Sequence, residues 1–356
     1  MTTALQWPLP PEQVHGGPDA GAPVRWDFST NANPLGPLAP VAHAVQAADR
    51  TRYPDPAYAA LCEQVARWHG VAPWQVVPAA SAGEWIWRFT QVLRLAGGAR
   101  RVWVPQPAYA EYAAAAAALG AACMRYPLAG PPPALQPGDL LWLCEPHNPC
   151  GTTLGPALPD WIAHARACQA HTVLDLAYAP LRDDGFVLPA AASQCWQLWS
   201  PNKASGLTGV RGAYAVAPCD AELAAQSLRR HAPAWVLGAE GVAMIGAFCS
   251  APAEQLLGEQ RRQLHAGWGA LRSALLQRGW RMGPGAHGVA PFLLAHPPGS
   301  GALAPLWHAA WRQHGLKLRD AASFGLPGWV RLAALPAAAQ DTLLLVCDAL
   351  HGLPTP

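Results

Sequence analysis

Short apolar runs recur through the middle of the chain and alternate with stretches of helical periodicity. The helical stretches cover residues 109–119 and 159–170 and lie between several of the runs. This alternation predicts a largely parallel sheet covered by helices on both faces. The runs expected to form its strands are residues 101–104, 139–144, 172–176, 196–199 and 212–216.

One predicted helix has a signal at each end. Asp55 is expected to cap it, Pro56 fits its first turn, and Gly70 fits the position where it stops. The apolar residues between them share one face of such a helix, and they are Tyr58, Leu61, Val65 and Trp68.

The pattern changes after about residue 230. A long helical region runs to about residue 277, strands are expected near 289–294 and 329–332, and helices near 303–314 and 337–350. We interpret this part as a smaller α+β domain. The predicted organisation is an N-terminal arm at 1–40, a large domain at 41–230 and a small domain at 231–356. The Gly/Pro-rich residues 129–138 are interpreted as a surface loop within the large domain.

Composition narrows the class of protein. A chain of 356 residues that is 51% hydrophobic can bury a core large enough for two domains. The net charge is +2 and the charges are spread, which gives no sign of nucleic-acid binding. The most apolar stretch, residues 113–122, is about half as long as a bilayer span, and residues 1–13 lack the pattern of a signal peptide. We therefore expect a cytoplasmic protein that does not bind membranes.

The cysteines do not suggest a framework or a metal site. There are nine, an odd number, scattered from Cys62 to Cys347 without a C-x-x-C pair. A chain of this size does not need disulfides to fold. Free thiols are expected, with no zinc or other metal.

The first candidate chemistry lies in SPNK, which ends at Lys203. Ser200 stands three residues before this lysine and Arg211 eight residues after it. An amine that forms an imine needs a partly desolvated setting, and a hydroxyl with a guanidinium can hold a phosphate dianion. The segment thus fits a phosphate-bearing aldehyde bound to a lysine. It fits equally a surface lysine beside an ion-paired arginine.

Two further segments favour the first interpretation. Asp175 and Tyr178 follow a predicted strand, at the sheet edge where open α/β folds bind ligands. An aspartate there can keep a pyridine nitrogen protonated, which makes the ring an electron sink. Asn148, in EPHNPCG, offers an amide donor to a phenolate oxygen on the same ring, although N-P-x-G alone is only a turn.

The order HNPCG, D-L-A-Y and S-x-x-K with an arginine eight residues on resembles class I and II aminotransferases, in particular the histidinol-phosphate aminotransferase branch. The resemblance implies fold type I of the pyridoxal-phosphate enzymes, an α/β large domain with a smaller α+β C-terminal domain. It also implies that Lys203 holds pyridoxal 5′-phosphate as a Schiff base. Asp175 would pair with the pyridine nitrogen, while Asn148 and Tyr178 would bond the ring oxygen. Lys203, Asp175 and Tyr178 are then the catalytic residues.

The same resemblance assigns residues to the phosphate and the ring face. Ser200 and Arg211 would hold the cofactor phosphate. The segment PAASAGEW is similar to a family turn at a helix start, so the backbone N–H groups of Ala82 and Gly83 would help to cradle it. Tyr109, in PAYAEY, matches the aromatic residue that stacks on the ring.

Two more matches concern the neighbouring subunit and the substrate. Tyr53, in RYPDP, matches a tyrosine that reaches the phosphate of the partner subunit, which implies a homodimer. Arg331, in WVRLA, matches the arginine that binds the substrate α-carboxylate. The chain departs from the family pattern at three positions outside the chemistry: Asn202, Cys150 and Ser81.

The N-terminus carries a more specific resemblance. HGG at His15, followed by DFSTNANPLGP with Asn31 and Asn33, is similar to threonine-phosphate decarboxylases of cobalamin biosynthesis, although the segment between the two motifs is short. The C-terminal LRDAASFGLPGWVRLA resembles the same group, and there Arg319 would bind a substrate phosphate. His15 and Asn33 are expected to bind substrate as well. A flexible terminal histidine and a solvated arginine are the alternative interpretations of His15 and Arg319.

The leading hypothesis is a lyase that decarboxylates L-threonine O-3-phosphate to aminopropanol phosphate. The alternative is an aminotransferase acting on histidinol phosphate or a related amino acid. Both would start from the same complex of cofactor and amino acid, and both would use Lys203 as the acid or base. A ligand-sensing regulator is a third class, but the sequence lacks a basic helix-turn-helix extension.

Overall fold

The computed structural model describes residues 15–21, 23–285, 289–298 and 304–351. Thirteen strands and eleven α-helices are assigned within these ranges. The strands are β1 Trp26–Asp27, β2 Val76–Ala79, β3 Arg101–Gln106, β4 Ala122–Pro127, β5 Leu140–Cys144, β6 His171–Asp175, β7 Trp196–Trp199, β8 Ala213–Val216, β9 Arg281–Met282, β10 Phe292–His296, β11 Leu316–Lys317, β12 Arg319–Asp320 and β13 Val330–Ala333. The helices are α1 Ala39–Gln46, α2 Ala59–His69, α3 Ala82–Leu95, α4 Ala110–Ala118, α5 Leu158–Ala167, α6 Pro201–Ala204, α7 Glu222–Arg230, α8 Ala239–Phe248, α9 Ala251–Gln277, α10 Ala304–Gln313 and α11 Ala337–His351.

The large sheet has seven strands in the order β2-β8-β7-β6-β5-β3-β4. Strand β8 is antiparallel to both of its neighbours, and the other pairs are parallel. The prediction of a largely parallel sheet is therefore confirmed. In the register of β5 and β6, Cys144 lies beside Asp175. Because parallel strands end at one sheet edge, the loops after β5 and β6 meet there.

All five predicted strands of this sheet are present, and the sequence missed the two at its edges. The residues of β4 are mostly exposed or half-buried and only Tyr126 is buried, so the strand has no apolar pattern to detect. Strand β2 has four buried residues but includes Pro78, which weakened its signal. Residues 129–138 form the expected loop, in which Leu135 is buried.

Helix α2 begins later than predicted. Its N-cap is Tyr58 in the left-handed region, not Asp55, and Pro56 lies before the helix. The carboxylate of Asp55 nevertheless accepts hydrogen bonds from the N–H groups of Ala57 and Ala59, at 3.0 and 2.8 Å. The aspartate thus holds the turn that leads into the helix. Gly70 ends the helix as predicted, with a φ of 65°.

The helical region after residue 230 is interrupted, whereas the sequence suggested one long stretch to residue 277. Residues 231–238, which include Pro233, form a turn before α8, and α9 begins after Ser250. Helix α8 packs in one core with α1 and α2; its buried members include Met244 and Ile245. The boundary near residue 230 stays a prediction.

A second, antiparallel sheet has the order β12-β13-β10-β9, and β1 pairs separately with β11. Helices α9 and α11 pack with these strands around Leu293 and Leu332. Phe28, from the predicted N-terminal arm, is fully buried in this same core. Residues 1–14, 299–303 and 352–356 of the predicted arm, helix and small domain lie outside the described residues.

The last two features concern the cysteines and the apolar character of the helices. All nine cysteines are free thiols, and five of them are buried. Within the described ranges, no helix has both the length and the apolar character needed to cross a membrane.

Candidate active site

A cavity of about 500 Å³ opens where the carboxyl edge of the large sheet faces the second sheet. Its lining includes all the residues that the sequence predicted for the site except three, Asp175, Tyr53 and Asn33. The predicted residues that line it are His15, Ala82, Gly83, Tyr109, Asn148, Tyr178, Ser200, Lys203, Arg211, Arg319 and Arg331. Segments far apart in the sequence therefore meet around one space.

Lys203 lies in α6, the short helix that follows β7. Its Nζ is 5.4 Å from the ring centroid of Tyr178, and its carbonyl oxygen accepts a hydrogen bond of 2.9 Å from the N–H of Asn33. Ser200 lies just before this helix, and its hydroxyl is buried without a hydrogen-bond partner among the described residues. A buried hydroxyl that lines a cavity is placed to bond a polar group of a ligand.

Helix α3 points its N-terminus at the same cavity through Ala82 and Gly83. Ser81 is the N-cap, and its Oγ accepts a hydrogen bond of 3.0 Å from the N–H of Glu84. The first N–H groups of a helix have no acceptor within it and carry a partial positive charge. They line the cavity together with Arg211 and Ser200, and such a set of donors suits an anion.

Asp175, at the end of β6, is buried behind the residues that line the cavity. Its Oδ1 accepts a hydrogen bond of 2.9 Å from the N–H of Ala177, and its Oδ2 accepts one of 2.5 Å from the hydroxyl of Tyr112. Burial raises the pKa of Asp175 above its ordinary value, while both hydrogen bonds and the charge of Lys203 oppose that rise. The sequence analysis did not identify Tyr112.

Two arginines face the cavity from the second sheet. Arg319 on β12 and Arg331 on β13 are register partners. Arg331 donates to Asn148 Oδ1 at 2.5 Å and to the carbonyl of Ser29 at 3.0 Å. Arg319 donates to the Ser323 hydroxyl at 2.7 Å. Burial and the neighbouring charge of Arg331 lower the pKa of Arg319 to about 10, so Arg319 is cationic at neutral pH. Burial also lowers the pKa of Arg331, although a guanidinium keeps its charge in proteins.

The HGG segment covers another side of the cavity. The N–H of Gly17 donates to Ser29 Oγ at 2.9 Å, and Lys317 donates to the carbonyl of Gly17. A Cβ at Gly16 would lie 2.2 Å from the carbonyl oxygen of Ser29, so this close approach requires glycine. His15 Nε2 is 3.7 Å from Glu111 Oε1, an ion pair only when the imidazole is protonated.

Asn31, rather than Asn33, faces the cavity. Asn33 donates to the carbonyl of Ala204 at 3.1 Å and to Gln260 Oε1 at 2.6 Å, and it does not line the space. The structure thus gives Asn33 a role in packing the loop and does not support its predicted contact with substrate. Asn31 lines the cavity, is 4% exposed, and has no partner for either amide atom among the described residues. The N-x-N-P motif contained this signal, but it did not separate the two positions.

Tyr53 lies outside the cavity of its own chain. Its side chain is 76% exposed and stacks on Trp235, with ring centroids 4.2 Å apart. This placement agrees with a residue that acts on a neighbouring subunit, which stays a prediction.

The fold and the site define an enzyme class, and comparison with known proteins identifies the family. The chain belongs to the aminotransferase class I and II family, whose model matches residues 25–350. The computed structure superposes on L-threonine-O-3-phosphate decarboxylase from Porphyromonas gingivalis with a TM-score of 0.80 and 20% identity, covering 92% of this chain and 99% of that one. Histidinol-phosphate aminotransferase from Sinorhizobium meliloti, in complex with pyridoxal-5′-phosphate, gives a TM-score of 0.76 at 21% identity, covering 92% of each chain.

The sequence relatives include proteins with these two activities and a third, diaminopimelate aminotransferase. Threonine-phosphate decarboxylase of Salmonella typhimurium is 32% identical over 232 residues, which are 60% of this chain and 61% of that protein. Histidinol-phosphate aminotransferase 2 of Archaeoglobus fulgidus is 30% identical over 207 residues, 56% of this chain and 58% of that protein. LL-diaminopimelate aminotransferase of Desulforapulum autotrophicum is 38% identical over 87 residues, 22% of this chain and 21% of that protein. The matched segments therefore span less than two thirds of each relative.

The family depends on pyridoxal 5′-phosphate, and the cavity fits this cofactor. The start of α3, the unsatisfied hydroxyl of Ser200 and the guanidinium of Arg211 suit its phosphate. Lys203 supplies an amine for its aldehyde, and the buried carboxylate of Asp175 suits a protonated ring nitrogen.

Proposed function

We propose that this enzyme decarboxylates an amino acid that carries a phosphate on its side chain, with L-threonine O-3-phosphate as the substrate. The observation that carries this proposal is the pair Arg319 and Arg331, which lie side by side on adjacent strands and line the same cavity as Lys203. Two buried cations suit a substrate with two anionic groups. The resemblance of the HGG and LRDAASFGLPGWVRLA segments to threonine-phosphate decarboxylases supports the same reaction.

Each arginine has a proposed partner on the substrate. Arg331 holds the α-carboxylate, and Asn148 and Ser29 fix its guanidinium in place. Arg319 holds the phosphate, with Ser323 fixing one end of its guanidinium. Asn31 and His15 add two more polar side chains to the lining of the cavity. Anchoring both ends of a small substrate fixes the rotation about its α-carbon, which decides which bond is placed to break.

The remaining residues supply proton transfer and electrostatic support. When bound, pyridoxal 5′-phosphate supplies an electron sink for the charge that develops at the α-carbon. Lys203 is the acid or base that moves a proton at that carbon. Asp175 would hold the ring nitrogen protonated, and Tyr178 would donate to the ring oxygen. These roles would serve transamination equally well. Because several relatives are aminotransferases, transamination is the second candidate function.

Product analysis distinguishes the two reactions. Purified enzyme loaded with the cofactor is incubated with L-threonine O-3-phosphate, and the products are identified by mass spectrometry. A decarboxylase releases CO₂ and aminopropanol phosphate. An aminotransferase yields a keto acid, and it exceeds one equivalent per site only when an amino acceptor such as 2-oxoglutarate is added. The second result would contradict our proposal.

Arg319 gives the first testable prediction. Arg319→Ala should raise KM for threonine phosphate by about ten- to a hundredfold, because a hydrogen bond to a charged group contributes about 1.5 to 3 kcal/mol. Cofactor affinity should stay the same. Steady-state kinetics with phosphorylated and unphosphorylated threonine measure the preference of each variant.

Two arginines serve as controls for this measurement. Arg331→Ala should weaken both substrates, since it removes the partner of the shared carboxylate. Arg281→Ala should change neither, because Arg281 lies on β9 of the same sheet and does not line the cavity. If Arg319→Ala keeps the full preference for the phosphorylated substrate, Arg319 does not bind a phosphate.

We also propose that the enzyme works as a homodimer. Tyr53 is exposed, stacks on Trp235 and does not line the cavity of its own chain. In a dimer its hydroxyl would reach the cofactor phosphate of the partner.

A further inference from the structure

Tyr112 lies one helical turn after Tyr109, which is proposed to cover the cofactor ring. Its side chain is 1% exposed, and its hydroxyl oxygen is 2.5 Å from Asp175 Oδ2. A carboxylate only accepts hydrogen bonds, so the phenol is the donor. A short bond between a phenol and a carboxylate is of the charge-assisted kind, which is stronger than a neutral one.

The two hydrogen bonds to Asp175 fix the plane of its carboxylate. Tyr112 holds Oδ2, and the N–H of Ala177 holds Oδ1 at 2.9 Å. The two donors come from α4 and from the loop after β6, which are separate elements. A carboxylate held at both oxygens cannot rotate about its χ2 angle without losing a buried hydrogen bond.

The ring of Tyr112 is itself held in place. It stacks on Trp142 with centroids 4.5 Å apart and planes 14° apart. It also meets Tyr109 edge to face, at 5.7 Å and 87°. The phenol oxygen lies on the axis about which the ring rotates, so this rotation does not move it. The two ring contacts hold the axis itself and therefore fix the position of the oxygen.

We propose that Tyr112 is a positioning residue that keeps the carboxylate of Asp175 ionised and directed at the ring nitrogen of the cofactor. The proposal concerns the cofactor site, so it applies to decarboxylation and transamination alike. Tyr112 touches neither cofactor nor substrate in this role. It acts through Asp175.

The hydrogen bond from Tyr112 opposes the effect of burial on the pKa of Asp175. Burial favours the neutral carboxyl and raises the pKa of Asp175, and donated hydrogen bonds lower it. The titratable groups that face this carboxylate are Tyr112 and Tyr109 near α4, Cys144 on β5 and Lys203 on α6. Burial raises the pKa of both tyrosines and of the thiol, so these three groups are neutral near pH 7. The groups that bond the Asp175 carboxylate directly are the hydroxyl of Tyr112 and the N–H of Ala177.

The test replaces the hydroxyl alone. Tyr112→Phe keeps the ring that stacks on Trp142 and removes the donor, so the pKa of Asp175 should rise further. A more basic carboxylate takes the proton from the ring nitrogen. In enzyme loaded with cofactor labelled with ¹⁵N in the ring, the ¹⁵N resonance should therefore move toward that of unprotonated pyridine. The value of kcat should fall about ten- to a hundredfold, with little change in KM.

Tyr126→Phe is the matched control. Tyr126 is also buried and donates to the carbonyl of Trp142 at 2.6 Å, so its variant loses a similar hydrogen bond without touching Asp175. It should lose stability and leave the ¹⁵N resonance unchanged. A double-mutant cycle with Asp175→Asn adds a second check, because Tyr112→Phe should have no further effect on the resonance once the carboxylate is absent.

A second substitution, expected to move the ¹⁵N resonance in the opposite direction, keeps the test valid if Tyr112→Phe folds poorly. Incorporating 3-fluorotyrosine at position 112 makes the phenol a stronger donor and leaves the packing nearly unchanged. The ¹⁵N resonance should then move toward the protonated value. An unchanged resonance in both variants, or a shift of equal size in Tyr126→Phe, would show that Tyr112 only fills space and would overturn the proposal.

Discussion

At the scale of single residues, the chemistry depends on one of only two lysines. The chain contains Lys203 and Lys317. Lys317 Nζ is 2.8 Å from Asp19 Oδ2 and also donates to Gly17, whereas Lys203 lines the cavity. This scarcity makes the site of cofactor attachment simple to identify by mass spectrometry.

We predict that borohydride fixes one cofactor per chain, on the peptide that contains Lys203. Lys203→Ala should abolish both this attachment and turnover, because no other lysine lines the cavity among the described residues. Absorbance spectra and peptide mapping of the reduced protein measure the result. Lys317→Ala is the control and should still carry the cofactor. Label on Lys317, or turnover without Lys203, would contradict the assignment.

Residue types with a fixed sequence context were predictable, and their partners were not. Lys203, Asn148 and Arg331 stand in short motifs, and all three line the cavity. Tyr112 stands in the same PAYAEY segment as Tyr109, but the segment does not reveal its role, because that role depends on a contact with a carboxylate 63 residues away in the chain. Likewise, the choice between Asn31 and Asn33 depends on how one loop turns, which the spacing of two asparagines does not determine.

At the scale of elements, the start of α3 gives a testable case. Ser81→Ala removes the cap on Glu84 N–H and should lower the free energy of unfolding by about 1 kcal/mol. If the first turn of the helix binds the cofactor phosphate, as we propose, the dissociation constant for pyridoxal phosphate should rise as well. Thermal unfolding of the apoenzyme and fluorescence titration with the cofactor measure the two effects.

Ser250→Ala is the comparison for this cap. Ser250 precedes α9 but makes no capping hydrogen bond; its hydroxyl donates to the carbonyl of Ala247 instead. Its replacement should leave cofactor affinity unchanged. If Ser81→Ala and Ser250→Ala bind the cofactor equally well, the start of α3 does not hold the phosphate.

Elements were predictable where their pattern was regular. The central strands of the large sheet are buried on both faces and appear as apolar runs, as β5 shows. Edge strand β4 lacks such a run. The breaks between α7, α8 and α9 were missed because apolar periodicity resumes after each turn, and it does not reveal that the helix axis has changed direction.

At the scale of the whole molecule, the proposed dimer leads to a prediction of complementation. Lys203→Ala and Tyr53→Phe are made in differently tagged chains and purified together as a mixed dimer. One of its two sites then contains Lys203 from one chain and Tyr53 from the other. That site should bind the cofactor with wild-type affinity, while the Tyr53→Phe homodimer binds it more weakly because the phosphate loses a hydrogen bond.

The mass of the particle is measured first, by light scattering on a sizing column. Phe at position 53 keeps the stacking on Trp235, so both homodimers should have the mass of two chains. A monomer in solution, or a mixed particle that binds the cofactor no better than the Tyr53→Phe homodimer, would rule out a shared site.

The class of fold was predictable for the whole molecule, because alternating runs specify a layered α/β sheet. The contacts between segments that are distant in the sequence were not predictable. Phe28 belongs to a predicted N-terminal arm, yet it is buried with Leu293 and Leu332 of the second sheet. No local pattern near Phe28 indicates which distant surface will cover it.

The contact between Ser29 and Arg331 joins positions 302 residues apart. During synthesis at about 5 to 20 residues per second, the early partner waits about 15 to 60 seconds for the late one to be made. The elements around Lys203 leave the ribosome during this interval. A nascent chain therefore contains Lys203 before the proposed substrate site is complete. Completion of the proposed catalytic pocket is therefore among the last events in the synthesis and folding of the chain.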